Sequence, residues 1–332
     1  MADQKPSFPV DSVLPELAAA LTRAGMAVLI APPGAGKTTR VPPGLLATSG
    51  FPAGKILMLE PRRLAARRAA EYMASFTGES VGETIGYRIR GESRVSARTR
   101  IEIVTEGILT RMLQDAPDLP GIALLIFDEF HERSIHADLG LALALDARTH
   151  LRPDLRILVM SATLDGAAVG KILGDAPVVR SEGKMFPIET VHRTFPLEGF
   201  IEKNIVETVQ RALKETEGDL LVFLPGRREL YRCRDMLGDA RLAPDIHVHL
   251  LHGEASRADQ DAALLPAANG ARKIILATSV AETSLTIDGV RVVVDSGLAR
   301  VPHFDPRRGM SGLITVPASI ATADQRRGRA GR

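Results

Sequence analysis

Several things are scarce in this chain. Cys233 is its one cysteine among 332 residues, which excludes a disulfide framework and any zinc site built on thiolates. Aromatic residues make up 4% and tryptophan is absent, so stacking on rings is a poor main source of affinity for any nucleic-acid partner. The formal net charge is only +2, and no bulk cationic character draws the chain to polyanions. No apolar run approaches the roughly 18 residues that a spanning helix needs. The first residues, MADQKPSFPVDSV, lack the basic-then-apolar pattern of a signal peptide. These absences predict a cytoplasmic protein with no membrane partner.

What is present suits a soluble globular protein: 45% hydrophobic and 25% charged residues. The length allows two ordinary domains, each with its own core. Positive charge is carried by 34 Arg against 8 Lys. Arginine offers a planar fork suited to phosphates, although a GC-rich genome would produce the same skew.

Short, almost wholly apolar runs recur: AVLIA (27–31), KILMLE (55–60), TRIEIVT (99–105), IALLIF (122–127) and RILVM (156–160). Runs of this length predict strands buried on both faces of a parallel sheet. Between them, Asp11 to Ala24, RRLAARRAAEYMA (62–74) and DLGLALALDA (138–147) read as helices. After an extended piece at 181–189 the pattern restarts with a helix over 200–215. DLLVFL (219–224), IHVHLLHG (246–253), RKIILAT (272–278) and VRVVVD (290–295) follow as strands. Alternating strands and helices predict two α/β domains, residues 1–180 and 181–332.

The first strand empties into APPGAGKTT, residues 31–39. Gly34 and Gly36 let the backbone curl so that consecutive N–H groups face a polyphosphate. With Pro33, Ala35 and Thr39 they form the cradle. Lys37 would reach the outer phosphates, and the Thr38 hydroxyl would ligate Mg²⁺. Ala31 stands where the full phosphate-loop pattern begins with Gly.

A second buried strand ends in Asp128 and Glu129 within LIFDEFHERS (125–134). Beside a phosphate loop, Asp128 would hold Mg²⁺ and Glu129 would orient and deprotonate the attacking water. Zinc is the competing reading, because HERSIH resembles a helical His-Glu-x-x-His site. Its histidines, His131 and His136, are five apart, roughly 140° around a helix, so they share no face. His247, His249 and His252 show no evident acidic or thiol partner, and no structural zinc is expected.

With the phosphate loop and DEFH in hand, the chain resembles the superfamily-two helicases of the DEAH/RHA group, nearest the bacterial HrpB-type branch, which Phe130 marks. The likeness runs over nearly all of residues 15–332, with the motifs in family order: PRRLAARRAA (61–70), TEG (105–107), SAT (161–163), LVFLPGRREL (221–230), ATSVAETSLTIDGV (277–290) and QRRGRAGR (325–332). It implies two tandem RecA-like P-loop domains acting as an ATP-dependent helicase, with RNA the expected partner and DNA the alternative, moving 3′→5′ with ATP and Mg²⁺.

It also implies residue roles. Gln325, Arg329 and Arg332 would serve the γ-phosphate, and His131, Ser161 and Thr163 would couple hydrolysis to domain position, His131 towards Gln325. Ser284, Thr286 and Asp288 would line the nucleotide, with Asp288 at the ribose. Arg62, Arg63, Thr105, Gly226, Arg227 and Thr278 would contact nucleic-acid backbone, carrying no sequence information. The family sandwiches adenine between an Arg and a Phe; the matching positions hold Tyr72 and Leu264, so Tyr72 is expected to stack on the base with weak selectivity. Residues 301–317 read as the family's β-hairpin. A chain ending at Arg332 is expected to lack the accessory domains that follow in the family and part of its second domain.

Overall fold

The computed structural model describes residues 8–162, 166–183, 186–194, 200–240, 242–267, 270–282 and 287–331. The chain divides into two units, Met1–Lys184 and Met185–Arg332.

In the first unit the five apolar runs become strands β1 (Met26–Ile30), β2 (Lys55–Leu59), β5 (Ile101–Val104), β6 (Ile122–Phe127) and β7 (Arg156–Ser161). Three further strands join them: β3 (Ile85–Ile89), β4 (Glu92–Arg94) and β8 (Val178–Arg180). The order across the sheet is β4-β3-β5-β2-β6-β7-β1-β8. Every pairing is parallel except the one between β3 and β4.

The reason for continuous apolar runs is visible in how side chains alternate. Leu29, Met58 and Ile126 point into one core with α1 (Leu14–Ala24), α2 (Lys37–Leu46) and α3 (Arg63–Thr77). Their neighbours Val28, Leu57 and Phe127 point into a second core, with α4 (Glu106–Asp115) and α5 (Ile135–His150). A sheet covered on both faces needs apolar residues at both phases of the strand period. Each such side chain taken fully out of water contributes about 1.5–3 kcal/mol.

The expected helix from Asp11 splits. Residues Pro9–Val13 form a 3₁₀ turn and α1 starts at Leu14, with Pro15 in its first turn, where a missing N–H is harmless. A further helix, α6 (Gly166–Ile172), precedes β8.

The second unit carries α7 (Ile201–Glu215), β9 (Asp219–Phe223), α8 (Arg227–Asp239), β10 (Ile246–Leu251), α9 (Arg257–Leu264), β11 (Arg272–Ala277) and β12 (Val290–Asp295). Its four strands pair in parallel in the order β10-β11-β9-β12. A separate antiparallel hairpin, β13 (Leu298–Asp305) and β14 (Met310–Pro317), leads into α10 (Ile320–Arg327). The outer hairpin is exposed, including Phe304, Met310 and Leu313. No helix among the described residues is long and apolar enough to cross a membrane.

Candidate nucleotide site

Parallel strands place all their carboxyl ends on one edge of the sheet, where ligand loops of α/β folds gather. In the first unit that edge carries the phosphate loop after β1, Arg62 and Arg63 after β2, Thr105 after β5, Asp128 and Glu129 after β6, and Ser161 at the end of β7. Motifs scattered over about 130 positions of sequence, from residue 31 to 162, thus meet on one rim.

Gly34 and Gly36 adopt φ of 83° and 91°, a region open to glycine without penalty. Gly36 caps α2, and the free amides of a helix's first turn suit an anion. Pro33 and Thr39 are partly buried and Ala35 is buried. Lys37 is buried, and its Nζ donates to the carbonyls of Ala31 (2.8 Å) and Pro32 (3.3 Å). The ammonium is therefore tethered across the mouth of the loop that it serves.

The Thr38 hydroxyl donates to Asp128 Oδ2 at 2.5 Å, across 90 positions of sequence. Asp128 Oδ1 accepts the Glu129 N–H at 2.8 Å. Burial, reinforced by the Glu129 charge, pushes the Asp128 carboxyl up to about 7, against the lowering pull of Lys37 and Thr38. A desolvated carboxylate beside a hydroxyl is a hard-oxygen donor set that suits Mg²⁺. Glu129 sits at φ 49°, ψ 34°, a left-handed conformation uncommon for a side-chain-bearing residue. Such strain clusters at functional sites, and here it turns the chain sharply at the end of β6.

His131 Nδ1 accepts the backbone N–H of Ala162 at 3.2 Å and lies 3.5 Å from Glu129 Oε2. An accepting Nδ1 is unprotonated, so the contact with Glu129 is not an ion pair. Desolvation holds the imidazole below its ordinary value, which favours the same neutral form. Ser161 is buried beside this bond; Thr163 lies outside the described residues. His136 is exposed on α5. Phe130 is buried against Phe127, ring edge to face at 6.3 Å, so the residue that marks the family branch is a core side chain.

Arg62 pairs with Glu132 of the DEFH turn at 3.1 Å, a partnership that sequence reasoning missed. Arg63 is exposed at the start of α3, and Thr105 caps α4. Tyr72 is exposed and meets Phe76 edge-on at 4.6 Å.

In the second unit, Gly226 and Arg227 open α8 after β9, and Thr278 follows β11. Gly226 is buried under Arg300, and Arg227 is exposed beside Glu254. Asp288 is exposed ahead of β12, and Leu264 is buried in α9. Ser284, Thr286 and Arg332 lie outside the described residues. Gln325 is partly buried on α10. Arg329 is buried and donates through Nε to the Glu282 carbonyl at 3.0 Å. Arg326, which carried no sequence-based role, is 1% exposed. It donates to Glu282 Oε1 at 2.6 Å, Asp295 Oδ1 at 2.6 Å and the Leu298 carbonyl at 3.1 Å.

The histidine pair of β10 stands on one face, with His247 exposed and His249 partly buried. His252 is buried and its Nδ1 accepts the Glu254 N–H at 3.3 Å.

Comparison with known proteins places these elements. The model of the DEAD/DEAH box helicase family matches residues 14–172, and that of the helicase conserved C-terminal domain matches residues 203–332. The chain is 49% identical to the ATP-dependent RNA helicase HrpB of Escherichia coli over 98% of its own length and 40% of the relative's. It is 36% identical to the pre-mRNA-splicing factor ATP-dependent RNA helicase prp22 of Schizosaccharomyces pombe, of which it spans 29%. The chain thus spans less than half of these curated relatives. The crystal structure of E. coli DEAH/RHA helicase HrpB superposes with a TM-score of 0.92 at 49% identity, over 98% of this chain and 41% of that one.

Proposed function

Because this chain belongs to the DEAH/RHA group of DEAD/DEAH-box helicases, we propose that it hydrolyses Mg·ATP and couples the reaction to 3′→5′ movement on RNA, separating strands in the cytoplasm. The observation that carries this reading is the 2.5 Å bond between Thr38 and Asp128, with Glu129 next in the chain on a strained turn. A phosphate-loop hydroxyl and a strand-end carboxylate are the pair that phosphoryl transfer needs beside a water-directing carboxylate.

In this reading the loop amides and Lys37 bind the β- and γ-phosphates. Thr38 and Asp128 hold Mg²⁺, which when bound neutralises charge on the transferring group. Glu129 orients the attacking water and takes its proton. The bond from Ala162 to His131 ties the turn bearing Glu129 to the SAT segment. Gln325, Arg329 and Arg332 are assigned to the γ-phosphate by their place in the last motif, and Ser284, Thr286 and Asp288 to the nucleotide by theirs. Arg62, Arg63, Thr105, Gly226, Arg227 and Thr278 are assigned to the RNA backbone, with domains over residues 1–180 and 181–332.

Steady-state ATPase with and without RNA tests the proposal, comparing wild type with Glu129→Gln. Expected are RNA-stimulated turnover in the wild type and a loss of about 10²–10⁴-fold in the variant with ATP binding retained. Unchanged turnover in Glu129→Gln removes the role given to Glu129. Turnover without strand displacement in the full-length protein points instead to a translocase.

A further inference from the structure

We propose that the segment Phe8–Asp11 is a bracket on the outer side of the phosphate loop, with Phe8 and Asp11 as positioning residues for nucleotide; the proposal rests on reading that loop as an ATP site. Three contacts converge there. The Val10 N–H donates to the Ala35 carbonyl at 3.1 Å. The Asp11 carboxylate takes the Arg40 guanidinium with both oxygens, Nε to Oδ1 at 3.0 Å and Nη2 to Oδ2 at 3.2 Å. Oδ2 also accepts the Phe8 N–H at 2.9 Å. Phe8 lies over Gly36, so closely that a Cβ there would stand 2.9 Å from the Phe8 Cβ and 3.0 Å from its ring.

Arg40 is in the first turn of α2, the turn that presents the loop's amides. Its guanidinium carbon is 5.8 Å from the Phe8 ring centroid and 5.9 Å from that of Phe76, within cation–π reach of both rings. Val10 is fully buried beneath. The bracket therefore grips the loop at the Ala35 carbonyl, the Gly36 backbone and the first helical turn.

The physical need for such a grip follows from the loop's composition. Gly34 and Gly36 carry the largest backbone freedom of any residue type, and ordering them on ligand binding opposes affinity. Amides that face a polyphosphate require the intervening carbonyls to face away, and the Val10 N–H holds one of those carbonyls. A bracket at the phosphate end is indifferent to the base, so it supports ATP and GTP alike.

The test uses the full-length protein with Asp11→Asn, with Phe8→Leu as a variant that keeps apolar volume, and with the charge swap Asp11→Arg/Arg40→Asp. Dissociation constants for fluorescent non-hydrolysable ATP and GTP analogues are measured beside KM, kcat and Tm. Expected for Asp11→Asn is a rise on the order of threefold to tenfold in Kd and KM, equal for both nucleotides. The same variant should hold kcat at saturating ATP within about twofold, and the swap should recover part of the affinity. Unchanged Kd in Asp11→Asn and Phe8→Leu, a fall in kcat at constant KM, or a loss confined to ATP overturns the bracket. Failure of the wild type to bind either analogue overturns the ATP-site reading instead, so the two failures are distinguishable.

Discussion

His131 Nδ1 accepts the backbone N–H of Ala162 at 3.2 Å, joining the turn after β6 to the residue that follows β7. Two motifs that would be separate loops are thereby one hydrogen-bonded unit beside Glu129. His131→Ala leaves a partly buried amide without its acceptor, a loss of about 1–3 kcal/mol. We expect a lower Tm for the variant and weaker RNA stimulation of its ATPase; Tm and stimulation both equal to wild type contradict the link. The pH sense follows from the lowered imidazole value. The stabilisation is present above the ordinary His range and is lost as pH falls through the lowered folded value.

Asp128 behaves in the opposite sense. Its carboxyl stands at about 7 in the folded protein against an ordinary 3.8, so the folded state binds the proton more tightly. That contribution to stability is fully present below the ordinary value and is lost as pH rises through 7. Metal-free Asp128→Asn should therefore melt higher than wild type at pH 8, with the gap closing towards pH 4. Thermal melts across pH without Mg²⁺ and nucleotide check this. A gap that does not change with pH contradicts it.

Arg326 is a different kind of site. Its guanidinium, over the Phe223 ring at 5.1 Å, pairs with Glu282 and Asp295 and reaches the Leu298 carbonyl at the foot of the hairpin. Arg326→Ala takes a charged partner from the buried Glu282 and from the partly exposed Asp295, which destabilises by about 3–5 kcal/mol. Calorimetry should show the transition of the second unit moving down while that of the first stays. A shared shift of both transitions would contradict the assignment.

Tyr72 is 42% exposed with its ring edge-on to Phe76, leaving aromatic surface for a nucleobase. Tyr72→Ala should weaken ATP binding by on the order of tenfold, in line with about 1–3 kcal/mol per stacked base, while Tyr72→Phe should not. Equal ATP affinity for wild type and Tyr72→Ala ends the stacking idea.

The strands of both units were legible because two-sided burial writes itself as unbroken apolar runs. The strands β3, β4 and β8 were not: glycine and arginine interrupt IGYRI in β3, ESR in β4 is wholly polar, and VVR in β8 offers only three positions. The helix over residues 11–24 was legible, but its break at Leu14 depends on Phe8 and Asp11 closing a turn.

Among the residues proposed for the site, Lys37, Thr38, Asp128 and Glu129 stand out in the sequence because phosphate and metal chemistry demands those types in that order. Arg326 was not, because a buried arginine and a phosphate-binding arginine look alike in QRRGRAGR. The pairing of Arg62 with Glu132 was equally hidden: 70 positions separate them.

The sequence alone determined which chemistry is proposed for the chain, since a glycine-rich cradle with its lysine and a strand-end Asp-Glu are local patterns. Tertiary structure alone decided which groups share a proton, a charge or a hydrogen bond. Parallel strands return the chain to one edge from distant positions, and burial there sets Asp128 high, His131 neutral and Arg326 paired. Those states depend on neighbours in space and on the loss of water, neither of which is written in residue order.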